Sequence, residues 1–300
     1  MVHRTSKRRF VVPIIFIIVV VGVFAGLKFI NRDTAELEVV PEVSEPEPEP
    51  EPEKPALIDF QPTIDSWLAS FQSSKADAGV YIYDMDNDTA VGEYTPDESF
   101  WTASLYKLFV VYEGYRRLEN GTENPNTKVA GHTYSECLDL AIRQSHSACA
   151  EAIHLRIGAD NLANIIKNDY GLTHSSATGL YSTPREMVEM LKIYYNHKEL
   201  SDATWATIQD SMLNQPPTNN GMCRGACDWR QGLPSGFSQA KVYNKVGWQG
   251  NGDGTWKIYD DVAIIELAGH TYFISVMSNN VYPAEIAKLG SAIETLVLAN

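Results

Sequence analysis

Phe100-Trp101-Thr102-Ala103-Ser104-Leu105-Tyr106-Lys107-Leu108-Phe109-Val110-Val111 sets a hydroxyl and an amine one helical turn apart inside an apolar run. Residues at i and i+3 share a helix face, so Ser104 and Lys107 meet the same surroundings. A serine is a weak nucleophile at neutral pH unless a base takes its proton. A lysine serves as that base only when burial or a neighbouring cation lowers its pKa. Leu105, Leu108 and Phe109 are suited to cause that shift. The spacing alone is weak, because it recurs at Ser238-Gln239-Ala240-Lys241. There the preceding Pro234-Ser235-Gly236-Phe237 reads as a turn entering a strand, and the two side chains would not share a face.

Working outward, the periodicity predicts helices near 61–74, 101–118, 134–143, 147–157, 160–168, 183–196 and 201–212, and a last one over 283–298. Strands are expected near 79–85, 89–94, 240–247, 257–267 and 271–279. Strands at both ends with helices between them assemble a sheet from distant pieces, which is an α+β arrangement. No internal repeat is visible.

Two later stretches stand in order behind the first. Ser145-His146-Ser147 lies between two helical patterns, and Lys245-Val246-Gly247-Trp248 ends the strand-like run from Ala240. The chain here resembles the penicillin-recognising serine hydrolases, the class A β-lactamases and their D,D-peptidase relatives, whose motifs run S-x-x-K, S-x-N and K-T-G. The likeness extends to Gly79-Val80-Tyr81-Ile82-Tyr83-Asp84, Ser182-Thr183-Pro184-Arg185-Glu186-Met187, Gly232-Leu233-Pro234 and Asp261-Val262-Ala263-Ile264-Ile265, and it covers residues 58–300. It implies a five-stranded antiparallel sheet flanked by helices beside an all-helical lobe, with the active site in the cleft between them.

The resemblance also implies roles. Ser104 would be the acylated nucleophile, Lys107 its base, and Ser145 the relay to the leaving nitrogen. Lys245 would supply positive potential for a substrate carboxylate, Ser147, Val246 and Gly247 would line the substrate site, and the backbone N–H groups of Ser104 and Trp248 would form the oxyanion hole. Read without the resemblance, Ser145 is an interhelix cap and Lys245 a solvated strand-end lysine; K-x-G also recurs at Lys288-Leu289-Gly290.

Three departures matter. Ser147 stands where the family has Asn and offers one hydroxyl instead of an amide. Val246 replaces a Thr or Ser and removes the hydroxyl that binds a substrate carboxylate. Class A β-lactamases use a loop glutamate to activate the deacylating water, and no glutamate occurs between Glu151 and Glu186. Asp169 is the nearest stand-in. Deacylation is therefore expected to be slow.

The remainder of the chain speaks to location. Phe10 to Leu27 is an 18-residue stretch without a charge, close to the ~20 residues that span a bilayer. Arg4, Lys7, Arg8 and Arg9 precede it and place the N-terminus inside. The expected organisation is a cytoplasmic basic tail (1–9), a transmembrane helix (10–30), an acidic Pro/Glu-rich linker (31–57) and a serine-hydrolase domain (58–300). A cleaved signal peptide is the competing reading; the apolar run exceeds the usual length and no A-x-A-like site follows. Residues 33–55 carry nine acidic side chains against Lys54 alone, more than half of the formal −14. Alternating Glu and Pro make this an extended spacer reaching roughly 70 Å.

Four cysteines in an exported chain permit two bridges, with Cys137–Cys149 and Cys223–Cys227 favoured. The seven histidines show no metal-ligand spacing, so neither a metal nor another cofactor is expected. No basic and aromatic interleaving suggests nucleic acid. The composite expectation is a membrane-anchored, extracytoplasmic serine hydrolase acting on β-lactams or D-alanyl cell-wall peptides. The alternatives are a D,D-carboxypeptidase-like enzyme with little β-lactam turnover, or a non-catalytic cell-wall binding module.

Overall fold

The computed structural model describes residues 54–71, 76–217, 228–251 and 255–300. The tail, the apolar segment at 10–30, the linker as far as residue 53 and the Cys223–Cys227 pair lie outside the described residues. Among the described residues no helix is long and apolar enough to cross a membrane.

The strand-forming runs at the two ends of the domain meet in one sheet. Asp77–Asp84 (β1) and Thr89–Tyr94 (β2) form a hairpin, and Lys241–Gly250 (β3), Trp256–Leu267 (β4) and His270–Asn279 (β5) follow one another as antiparallel neighbours. The order is β2-β1-β5-β4-β3, every pair antiparallel, with β1 and β5 zipped from Asp77↔Asn279 to Asp84↔Tyr272.

The helices are α1 (Gln61–Ala69), α2 (Lys107–Glu119), α3 (Tyr134–Arg143), α4 (Ser147–Ile157), α5 (Ala159–Asn164), α6 (Pro184–Asn196), α7 (Asp202–Leu213) and α8 (Pro283–Leu298). Because side chains alternate along a strand, each central strand feeds two cores. Val80, Ile82, Val246, Ile265 and Ile274 pack with α1 and α8 through Ile64, Trp67, Ile286 and Ile293. Tyr81, Tyr83, Ile264 and Phe273 face the helical lobe built around α2. Burial on both faces explains why β4 and β5 read as near-continuous apolar runs. Gly114 lets α2 and α3 pack closely, since a Cβ there would strike Leu138.

The single helix expected over 101–118 is not what forms. Phe100 and Trp101 pair with Ser182 and Tyr181 as a two-residue ladder, Ala103–Tyr106 is a 3₁₀ turn, and α2 begins at Lys107. The helical start loses because Ala103 sits at φ +40° and Thr102 donates its N–H to Leu180 O at 2.9 Å. The first helix stops at Ala69 rather than 74, its C-cap at Ser70. The helix near 160–168 passes from α5 into a π-helical turn over Ile165–Asp169.

Candidate active site

Three elements converge where the sheet meets the helical lobe. The first is the 3₁₀ turn. With about three residues per turn, i and i+3 eclipse, so Ser104 in the turn and Lys107 at the start of α2 stand on one side of the segment. Ser104 is half-buried, whereas Lys107 is completely buried.

The second element is the loop between α3 and α4. Ser145 adopts φ +50°, a left-handed conformation unusual for serine. His146 caps α4 by accepting from Cys149 N–H at 3.2 Å, and a disulfide joins Cys137 to Cys149. The bridge and the cap tie the two helices together around Ser145-His146-Ser147. Lys107 Nζ donates to the carbonyl of Ser145 and lies 3.1 Å from the hydroxyls of both Ser145 and Ser147.

The third is β3. Lys245, also buried, places Nζ 2.9 Å from Ser145 Oγ and 2.8 Å from its neighbour's carbonyl at Val246. Gly247 packs directly on the turn: a Cβ there would collide with Thr102 O and press on Leu105. That approach brings the backbone of Trp248 alongside Ser104, and both border one cleft of about 630 Å³. Trp248 is buried and stacks on Trp229, centroids 4.4 Å apart.

Burial governs the electrostatics. It lowers the Lys107 amine to about 7, and the charge of Glu151 works in the opposite direction. Lys245 is pushed well down by burial and then by Lys107, with Asp261 opposing. Two amines that share one hydroxyl oxygen cannot both hold a proton cheaply. Ser145 Oγ can accept from one and donate to the other when that one is neutral, which makes it a proton conduit.

The sequence-derived residues Ser104, Lys107, Ser145, Ser147, Lys245, Gly247 and Trp248 are thus brought together. Val246 enters differently: its side chain is buried in the core with α1 and α8, and only its carbonyl joins the site. Asp169 is not brought in; it lies 4.0 Å from Arg116, in a separate depression with Tyr112 and Lys192. Glu186 is occupied in tying the loop at His174 and Ser175. The second S-x-x-K pair is also apart, Ser238 bound to Glu294 and Lys241 exposed beside Glu266. Sequence reading missed Glu151 and His154, which line the cleft beside Ser147. Their signal was the spacing 147, 151, 154, one face of a helix. Among the described residues no acidic and histidine cluster could hold a metal ion.

An α+β domain whose cleft joins a serine–lysine turn, an interhelix serine and a strand lysine defines the penicillin-recognising serine hydrolases as a class. The chain belongs to the beta-lactamase enzyme family, whose model matches residues 60–297. Its fold is similar to that of PBP-A, at 15% identity and a TM-score of 0.66, covering 79% of this chain and 96% of that one. A class A beta-lactamase from Bacteroides cellulosilyticus shares 17% identity at a TM-score of 0.66, covering 81% and 99%. An ancestral class A beta-lactamase shares 18% at 0.65, covering 81% and 100%. No curated protein matches the chain in sequence.

Proposed function

We propose that this chain is a membrane-anchored, extracytoplasmic serine hydrolase that opens the amide bond of β-lactams or of D-alanyl cell-wall peptides through an acyl-enzyme on Ser104. The observation carrying this reading is the buried Lys107–Ser145–Lys245 network beside the accessible Ser104. Neutral Lys107 takes the Ser104 proton as Oγ bonds to the substrate carbonyl carbon, a general-base step worth about 10²–10⁴-fold. The oxyanion falls to the backbone N–H groups of Ser104 and Trp248, each worth about 10²–10³-fold in rate. The proton leaves Lys107 through Ser145 to the departing nitrogen, whose bond to carbon breaks. Lys245 holds Ser145 in place and, in its protonated form, supplies positive potential for a substrate carboxylate. The Val246 side chain lies in the core and offers no hydroxyl there.

Anchoring is supported by the uncharged run from Phe10 to Leu27 behind four basic residues, and by the acidic spacer that follows. Protease added outside intact cells should digest the domain if it is exported.

Function is tested by offering the full chain, in mild detergent, a chromogenic cephalosporin and an acyl-D-alanyl thioester, with Ser104→Ala beside it. Consumption of either substrate that vanishes in the variant supports the reading. No consumption and no covalent adduct would leave a non-catalytic wall-binding module.

A further inference from the structure

Hydrolysis of an acyl-serine needs a base for water, and among the described residues lining the cleft one carboxylate is present, that of Glu151. Ser147, Glu151 and His154 follow at i, i+4 and i+7 along α4, so they share the face that lines the same cleft as Ser104. Ser147 marks the inner end of this face, its Oγ 3.1 Å from Lys107 Nζ. Glu151 stands one turn, about 6 Å, further along. It is exposed to the cleft and forms no hydrogen bond or ion pair among the described residues.

The neighbouring acids are committed elsewhere. Glu113 holds Arg116 and Arg117, Glu123 holds Arg156, and Glu186 ties the loop at His174 and Ser175. The charge of Glu151 is felt at both Tyr106 and Lys107, the residues that follow Ser104 in the turn. The opposite wall, from Ala177 to Leu180, carries no acid.

We infer that Glu151 is the general base that activates water for hydrolysis of the Ser104 acyl-enzyme, an inference that rests on the acylation chemistry proposed above. The carboxylate removes a proton from water as the water oxygen bonds to the ester carbonyl carbon. The tetrahedral intermediate collapses, the bond from carbon to Ser104 Oγ breaks, and Glu151 returns the proton to Oγ. Free serine and a carboxylic acid result. The base thus comes from the helix after the second motif instead of from the loop before α6.

The test follows adduct formation and decay separately, by intact mass, for the full chain in detergent with a fluorescent penicillin and with the acyl-D-alanyl thioester. In Glu151→Gln the adduct should form as fast as in the wild type at pH 8 and decay at least about 100-fold more slowly. Formate added to Glu151→Ala should restore part of the decay. Normal acylation in either variant reports an intact fold. Unchanged decay in Glu151→Gln, equal losses in formation and decay, or a wild-type adduct that never decays would each overturn the inference while leaving acylation standing. Absence of an adduct in the wild type and in Glu151→Gln alike, with no substrate consumed, would remove both.

Discussion

Replacing Lys107 by Met should make the protein more stable and abolish its chemistry. Burial holds the Lys107 amine at about 7 against an ordinary 10.5. At pH 7 the unfolded chain keeps its proton and the folded chain keeps half, so burying the amine costs about 4 kcal/mol at ~1.4 kcal/mol per pH unit. Methionine removes that cost but takes a partner from Ser145 O, Ser145 Oγ and Ser147 Oγ. Each lost hydrogen bond costs about 1 kcal/mol. The net gain is about 1–2 kcal/mol, a Tm higher by ~2–4 °C per kcal/mol. From pH ~10.5 down to ~7 the unfolded wild type binds more protons, so the wild type loses stability as pH falls, and below ~7 the loss is constant. The margin of Lys107→Met over wild type should therefore be about 2 kcal/mol larger at pH 7 than at pH 9. Urea unfolding at both values measures it. A variant less stable at both, with no change in margin, would refute the reasoning.

Acylation should follow the neutral fraction of Lys107, rising about tenfold from pH 6 to pH 8 and then levelling; a flat profile by stopped-flow adduct formation would exclude that lysine as base. Gly247→Ala forces a Cβ against Thr102 O and Leu105, so a loss of about 1–3 kcal/mol should accompany slower acylation, read by thermal melting and adduct kinetics. Asp260 is fully buried, accepts from Ser278 N–H at 2.8 Å and is raised well above the usual carboxylate range by burial. The folded carboxyl therefore keeps its proton to higher pH than the unfolded one, which ionises above pH ~4, and stability is lost as pH rises. Asp260→Asn should raise Tm by at least ~3 °C at pH 7 and by less at pH 4.5; an equal shift at both would count against a protonated Asp260.

The sheet was legible because β4 and β5 are buried on both faces and read as long apolar runs, and α3, α4 and α6 carry local start signals such as the Thr133 and Thr183 caps. The start of the serine-bearing segment was not. Helical periodicity continues through Phe100 to Lys107, but the ladder of Phe100 and Trp101 with Ser182 and Tyr181 is decided by a partner eighty residues away in sequence. The positive φ of Ala103 and Ser145 leaves no mark in residue type, since glycine would be the usual signal. In the site, the motif residues came together as their spacing and resemblance led one to expect. Val246 did not, because strand alternation turns it into the core while its neighbours face the cleft. Glu151 carries no motif of its own, and its alignment with Ser147 acquires meaning only because α4 walls the cleft.

Whether Ser104 Oγ becomes acylated decides the rest. The full chain incubated with fluorescent penicillin, digested and mapped by mass spectrometry should carry the label on the peptide containing Ser104, and Ser104→Ala should carry none. Label on another residue, or equal label in the variant, would contradict the serine–lysine mechanism outright.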